Sequence, residues 1–179
     1  MTEDENETLL VLLVQRGSIP AFEKLLRRIC GPVRGYVTSM VGAASADDVL
    51  QEISLRIYRQ IQWLREPKVF RAWAYRIATR MAIAHVKKEK RWKTVESDPE
   101  LLGAVASPSP AHPGEVDAAF LEMTDRVSPA SRAVLLLHYQ QHLSLEETAV
   151  ILDVPLGTVK SRLAYGVATL RRLFQEKRL

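Results

Sequence analysis

The sequence predicts an all-α protein of two small helical domains joined by a flexible linker, the second a four-helix domain carrying a helix-turn-helix. Three observations predict it. Apolar residues recur at helical spacing, and no strand-like alternation occurs in the first ninety residues. Residues 94–115 break that pattern with Pro99, Pro108, Pro110 and Pro113, four acids and no Lys or Arg, the composition of a tether. The stretch Leu143–Leu163 then fits two helical patterns around a turn of only about three residues. Domains are therefore expected over residues 1–93 and 116–179, and 47% hydrophobic content in 179 residues is ample for two packed cores.

The elements follow in order. Leu9–Gln15 is a short apolar helix ended by Gly17 and the Ser18-Ile19-Pro20 turn. Pro20 opens a longer helix with Phe22, Leu25, Leu26 and Ile29 on one face, and Gly31-Pro32 is a candidate kink before Val33, Tyr36, Val37 and Met40 resume the stripe. Cys30 lies within this apolar pattern and reads as a small core residue. Gly42-Ala43-Ala44-Ser45 interrupts it, and Ser45 or Asp47 is a fair N-cap for a helix over 46–64. There Val49, Ile53, Ile57 and Ile61 recur every four residues, opposite Asp48, Gln51, Glu52, Arg56 and Arg59. Pro67 ends it, and a helix over 70–90 follows with Trp73, Ala74, Ile77, Met81 and Ala84 inward and Tyr75 projecting elsewhere. Past the tether, 116–126 is helical and Ser128-Pro129 starts a helix running to His138 or Tyr139.

Ser144 and Glu147 then form a capping box, with Leu145, Ala149 and Leu152 as the buried stripe of a short helix. Asp153-Val154-Pro155 turns the chain, with Pro155 as first residue of the next helix. That helix buries Leu156, Val159, Leu163, Val167 and Leu170 and carries Lys160, Ser161, Arg162 and Tyr165 on or beside its outer face. An ordinary α-hairpin has the same spacing, so the pattern alone leaves DNA binding and simple packing both open.

Charge narrows the choice. The formal net charge is +4, and nearly all of the excess lies in residues 71–93, which hold eight Lys/Arg against one acid. Residues 1–70 balance nine against nine, and residues 116–179 eight against seven. Such a block fits a nucleic-acid or anionic-membrane surface, or a solvated face. A single cysteine excludes an internal disulfide and a cysteine-based metal site. His85, His112, His138 and His142 show no ligand spacing, no catalytic constellation is visible, and neither an enzyme activity nor a cofactor is expected. The acidic start is unlike a secretory signal and the run Leu9–Val14 is too short to span a bilayer, so a soluble, cytoplasmic protein without membrane insertion is expected.

Three ordered blocks resemble the extracytoplasmic-function (ECF) group of bacterial sigma factors, the two-domain specificity subunits of RNA polymerase. They are Asp47-Asp48-Val49-Leu50-Gln51-Glu52 with Leu55-Arg56, then Phe70–Ala78 running into the basic residues Lys87–Lys93, then Leu145–Ala149 with Val154–Leu163. The resemblance covers nearly the whole chain. It implies that the first domain docks on the clamp of the largest subunit of core RNA polymerase through Asp48, Gln51, Glu52, Leu55 and Arg56. The same domain would open the −10 element of promoter DNA with Arg71, Trp73, Tyr75, Arg76, Arg80, Lys87, Lys88, Lys90 and Arg91. Single strands are held by stacking plus a basic track, and the lysines neutralise phosphates without reading sequence.

The second domain would bind duplex −35 DNA with Thr158, Lys160, Ser161, Arg162, Tyr165 and Arg172, and would also meet the polymerase flap. The acidic tether would run near the RNA exit channel, and an anti-sigma factor is an implied partner. Trp92, among the lysines, fits either packing on the domain or stacking on a sugar. Four positions depart from the family pattern: the family often has an aromatic at Ser54, Asn at Arg80, and Arg at Tyr165 and Val167. Rival readings are a polymerase-independent DNA-binding regulator, a helical decoy that imitates a sigma factor, and a membrane-surface protein using residues 71–93.

Overall fold

The computed structural model describes residues 3–90 and 118–176. Among the described residues there are eight α-helices, two 3-10 turns, one π-helical turn and no strand. The chain divides into two compact units, Met1–Ala82 and Ile83–Leu179. The division falls within a helix, while the acidic segment in which the sequence places the boundary lies outside the described residues.

In the first unit, α1 spans Glu3–Gln15, six residues longer at its start than the apolar run alone suggests. Ser18 caps α2 (Ile19–Val41), its hydroxyl accepting from the Ala21 N–H at 3.3 Å. The candidate kink does not break α2. Gly31 and Pro32 are both exposed, so the donor that proline removes is missing only from a water-facing turn. Cys30 is exposed too, and not a core residue. The buried stripe runs through Ile29 and Val33, and Cys30 steps one helical increment off it.

Gly42 alone joins α2 to α3 (Ala43–Gln60), at φ 84° and ψ 157°. Its N–H closes α2 on the Thr38 carbonyl at 2.9 Å, and only glycine adopts that φ without steric cost. Neither Ser45 nor Asp47 is therefore the N-cap of α3. Asp47 instead pairs with Arg34 of α2 at 2.7 Å. Val49, Ile53 and Ile57 are buried as the four-residue spacing requires, and Ile61 follows in a 3-10 turn, Ile61–Trp63. A second 3-10 turn, Pro67–Val69, leads into α4 (Phe70–Lys90). Tyr36, Phe70, Leu25, Met40 and Ile53 are the bulkiest fully buried side chains of this unit. The Tyr36 and Thr79 hydroxyls hydrogen-bond at 2.9 Å, satisfying both inside the core.

In the second unit, α5 (Ala118–Thr124) precedes α6 (Pro129–Leu135), which Ser128 caps at the Ser131 N–H. Helix α6 continues as a π-helical turn, Leu136–Gln140, so the helical run ends near Tyr139 as the sequence suggests but with a wider last turn. Then come α7 (Leu145–Leu152) and α8 (Leu156–Glu176). Val127, Val134, Leu135, Val159 and Leu163 form the core. Phe120, Leu145, Ala149, Leu152, Val167 and Leu170 pack around it half-buried. Arg132, only 5% exposed, is held by Asp125.

Gly166 brings α8 directly onto α6. A Cβ there would stand 2.9 Å from Leu135 Cδ1 and 3.1 Å from its Cγ, and Leu135 is fully buried with no room to retreat. Gly166→Val is expected to destabilise the protein by about 2 kcal/mol through overpacking, read as a lower urea midpoint. An unchanged midpoint would show that α6 and α8 can separate freely.

Candidate functional site

The α7–α8 unit is built by local chemistry. The Ser144 hydroxyl accepts from the Glu147 N–H at 3.0 Å, and the Glu147 carboxylate takes the Ser144 N–H at 2.8 Å, completing the predicted capping box. Asp153 ends α7 in the left-handed region, at φ 59° and ψ 47°. Pro155 is not the first residue of α8 but the one before it. Its carbonyl accepts from the Thr158 and Val159 N–H groups at 2.9 and 3.2 Å, which places the start of the helix at Leu156. The joint is tight, and the polar face of α8 is presented to solvent.

On that face Lys160, Tyr165 and Arg172 are exposed, while Thr158, Ser161 and Arg162 are half-buried. The Ser161 hydroxyl donates to the Thr158 carbonyl at 3.0 Å. Arg162 sits lower than an outward residue should. Its Nε is buried and finds no hydrogen-bond acceptor among the described residues. Arg171 lies close enough to Tyr139 to pull its pKa down, against a larger upward push from burial of the ring. His138 Nδ1 donates to the Leu143 carbonyl at 2.8 Å, which gives it a place in the turn before α7. Among the described residues no group of three or more His, Cys, Asp or Glu is placed to hold a metal ion.

A second surface lies on α3. Asp48, Gln51, Glu52, Leu55 and Arg56 are all exposed along one side of the helix, opposite buried Val49, Ile53 and Ile57. Leu55 is 49% exposed, a large aliphatic side chain in the middle of a charged stripe. Ser54, half-buried, turns its hydroxyl back to the Leu50 carbonyl at 2.9 Å.

The third surface is α4 with the loop before it. Arg71, Arg80, Lys87 and Lys88 are exposed and Arg76 is half-buried. Lys90 closes the helix, while Arg91, Trp92 and Lys93 lie outside the described residues. Of the two aromatics of this segment, the one that spacing turns away from the core is the more deeply buried. Tyr75 is buried at 5% exposure, edge-on to Tyr36 with ring centroids 5.9 Å apart. Trp73 is half-buried beside Phe70, at 6.0 Å. Tyr75 is therefore a core residue and not a surface for stacking a base, because Tyr36 of α2 supplies the wall that its ring packs on. Ala84, assigned inward, is exposed.

Burial pushes the Tyr75 hydroxyl up to about 12, with the nearby Arg71 charge opposing the shift. A tyrosine raised in the folded state contributes stability that is complete below its unfolded value of 10.0 and is lost as pH climbs through about 12. Melting temperature is expected to fall across that window, and Tyr75→Phe should flatten the fall. An unchanged slope would assign it to other groups.

Periodicity did not single out the most exposed aromatic among the described residues. Trp63 stands 82% exposed in the 3-10 turn after α3, followed by exposed Arg65 and Lys68. The signal for it is the stripe itself: once Ile61 and Leu64 are buried, Trp63 has to face outward.

Comparison with known proteins gives the family. The family models for Sigma-70 region 2 and Sigma-70 region 4 match residues 21–92 and 117–170. The RNA polymerase sigma-H factor of Pseudomonas aeruginosa is 30% identical over 176 residues, spanning 91% of each chain. The ECF RNA polymerase sigma-E factor of Escherichia coli K12 is 29% identical over 175 residues, again with 91% of each covered. Among solved structures, CnrH bound to the cytosolic domain of CnrY superposes with a TM-score of 0.70 at 20% identity, covering 96% of this chain and 98% of that one. The sigma factor RpoE bound to the anti-sigma factor NepR from Bartonella quintana gives 0.64 at 18% identity, covering 88% and 98%. The chain thus belongs to the sigma-70 family, in its extracytoplasmic-function group, and is an RNA polymerase sigma factor of promoter-directed transcription initiation.

Proposed function

We propose the following division of labour within that function. Residues 1–93 dock on the clamp of core polymerase through Asp48, Gln51, Glu52, Leu55 and Arg56, and hold the opened −10 strand. That strand runs along Arg71, Trp73, Arg76, Arg80, Lys87, Lys88, Lys90 and Arg91, with Trp63 joining them and Tyr75 left out. Residues 116–179 read the −35 duplex through Lys160, Arg162 and Tyr165, while Thr158, Ser161 and Arg172 steady the helix or meet the backbone. The acidic residues 94–115 tether the two and keep a nucleic-acid path free of bound strands. The factor acts in the cytoplasm without catalysis of its own. An anti-sigma factor is its regulator, as in the solved structure of RpoE with NepR.

The observation that carries this reading is the α3 stripe, in which four polar or charged side chains surround a leucine that is half exposed. Interfaces of this kind place an apolar anchor inside a polar rim. The test is transcription in vitro with core polymerase on a library of promoters. New start sites that vanish with Leu55→Asp support the docking surface. Start sites untouched by that change would remove α3 from it, and a protein that forms no core complex would sink the assignment.

A further inference from the structure

Helix α1 packs on both 3-10 turns that connect α3 to α4. At its last residue, the Gln15 side-chain Nε2 donates to the Leu64 carbonyl at 2.8 Å and to the Ile61 carbonyl at 3.0 Å. These two carbonyls bracket Trp63, and the side chains of Ile61 and Leu64 are buried on either side of it. One amide thus pins the turn at both ends and leaves the indole projecting. Toward the other end of α1, the buried Glu7 carboxylate accepts from Arg71 Nη2 at 3.3 Å, while the Arg71 side chain remains 61% exposed. A single helix therefore fixes both borders of the segment that carries Trp63, Arg65, Lys68 and Arg71.

We propose that Gln15 is a positioning residue for single-stranded −10 DNA, acting through the turn that presents Trp63 as a stacking surface for an unpaired base. The proposal rests on the sigma-factor reading and deepens its first domain. Stacking requires a ring of fixed height and tilt, and any freedom left to the ring has to be lost on binding. Without the Gln15 donor the Leu64 carbonyl loses its side-chain bond, and the Ile61 carbonyl keeps only the 3.1 Å bond from the Leu64 N–H. Trp63 would then remain exposed but no longer held.

The test is a double-mutant cycle. Full-length protein is assembled with core polymerase, and affinity is measured for a promoter whose −10 region is already unpaired. Trp63→Ala is expected to weaken binding about tenfold, the loss of one stacked base. Gln15→Met, which keeps the bulk and removes the donor, should weaken it about threefold to fivefold. In the Trp63→Ala background Gln15→Met should cost nothing further, whereas a merely structural role would cost the same in both. Thermal unfolding checks that each variant is folded, and Gln15→Lys, which keeps a donor of similar reach, should restore binding only where Trp63 is present. Additive losses would overturn the role of Gln15 while leaving Trp63 in the site. A Trp63→Ala protein that binds normally would overturn both, and −35 selection by the same complex would show that the sigma-factor reading survives.

Discussion

Neutralising the basic run that begins in the last turns of α4, with Lys87, Lys88, Lys90, Arg91 and Lys93 all changed to Gln, should lower promoter affinity by about 100-fold on every sequence tested. The cause is counterion release. Each phosphate neutralised on a single strand adds about 0.7 to the slope of log affinity against log salt, so five lost contacts should flatten that slope by about 3.5. Lys87 and Lys88 are exposed at the end of a helix whose start is fixed by buried Phe70, so their two charges are held at the surface. Promoter preference should be unchanged, because phosphate contacts position a strand without reading it. An altered preference with an intact salt slope would contradict this assignment.

The complementary result is expected from α8. Lys160→Ala or Arg162→Ala should reduce discrimination between the cognate −35 element and a one-base variant by about 1–3 kcal/mol, with little change in salt slope. Arg162 should give the larger effect. Its Nε is buried without an acceptor, so the arginine is lodged against the helix and its guanidinium has few alternative positions. Lys160 is exposed and free to move, and its contribution should lean toward backbone attraction. Competition between promoters differing only at −35 measures both. Equal, sequence-blind losses from α4 and α8 would mean that the two surfaces do not divide recognition as proposed.

Much of this was legible in the sequence where the decisive chemistry is local. The α7 capping box needs only Ser144 and Glu147 three residues apart, and the order of the three motif blocks needs no tertiary structure at all. The α3 stripe was legible for the same reason, since one apolar spacing fixes both its faces. What resisted was set by partners distant in sequence. Tyr75 and Trp73 are two residues apart, and spacing alone ranks them wrongly because Tyr36, on α2, decides which ring is walled in. Asp47 looks like a cap until Arg34 is seen beside it, and the joint is made instead by the backbone of Gly42. Trp63 was hidden because an apolar residue next to buried Ile61 and Leu64 reads as more core.

The one-residue joint at Gly42 has a further consequence, for the order in which the molecule forms. Helices α1, α2 and α3 pack on their immediate sequence neighbours, across joints that close almost no loop. Contacts of such short sequence separation form early and cost little chain entropy. The first unit also leaves the ribosome first, and domains generally fold as they emerge. On the division of labour proposed above, the α3 docking surface is therefore expected to be assembled while the helix-turn-helix is still being made.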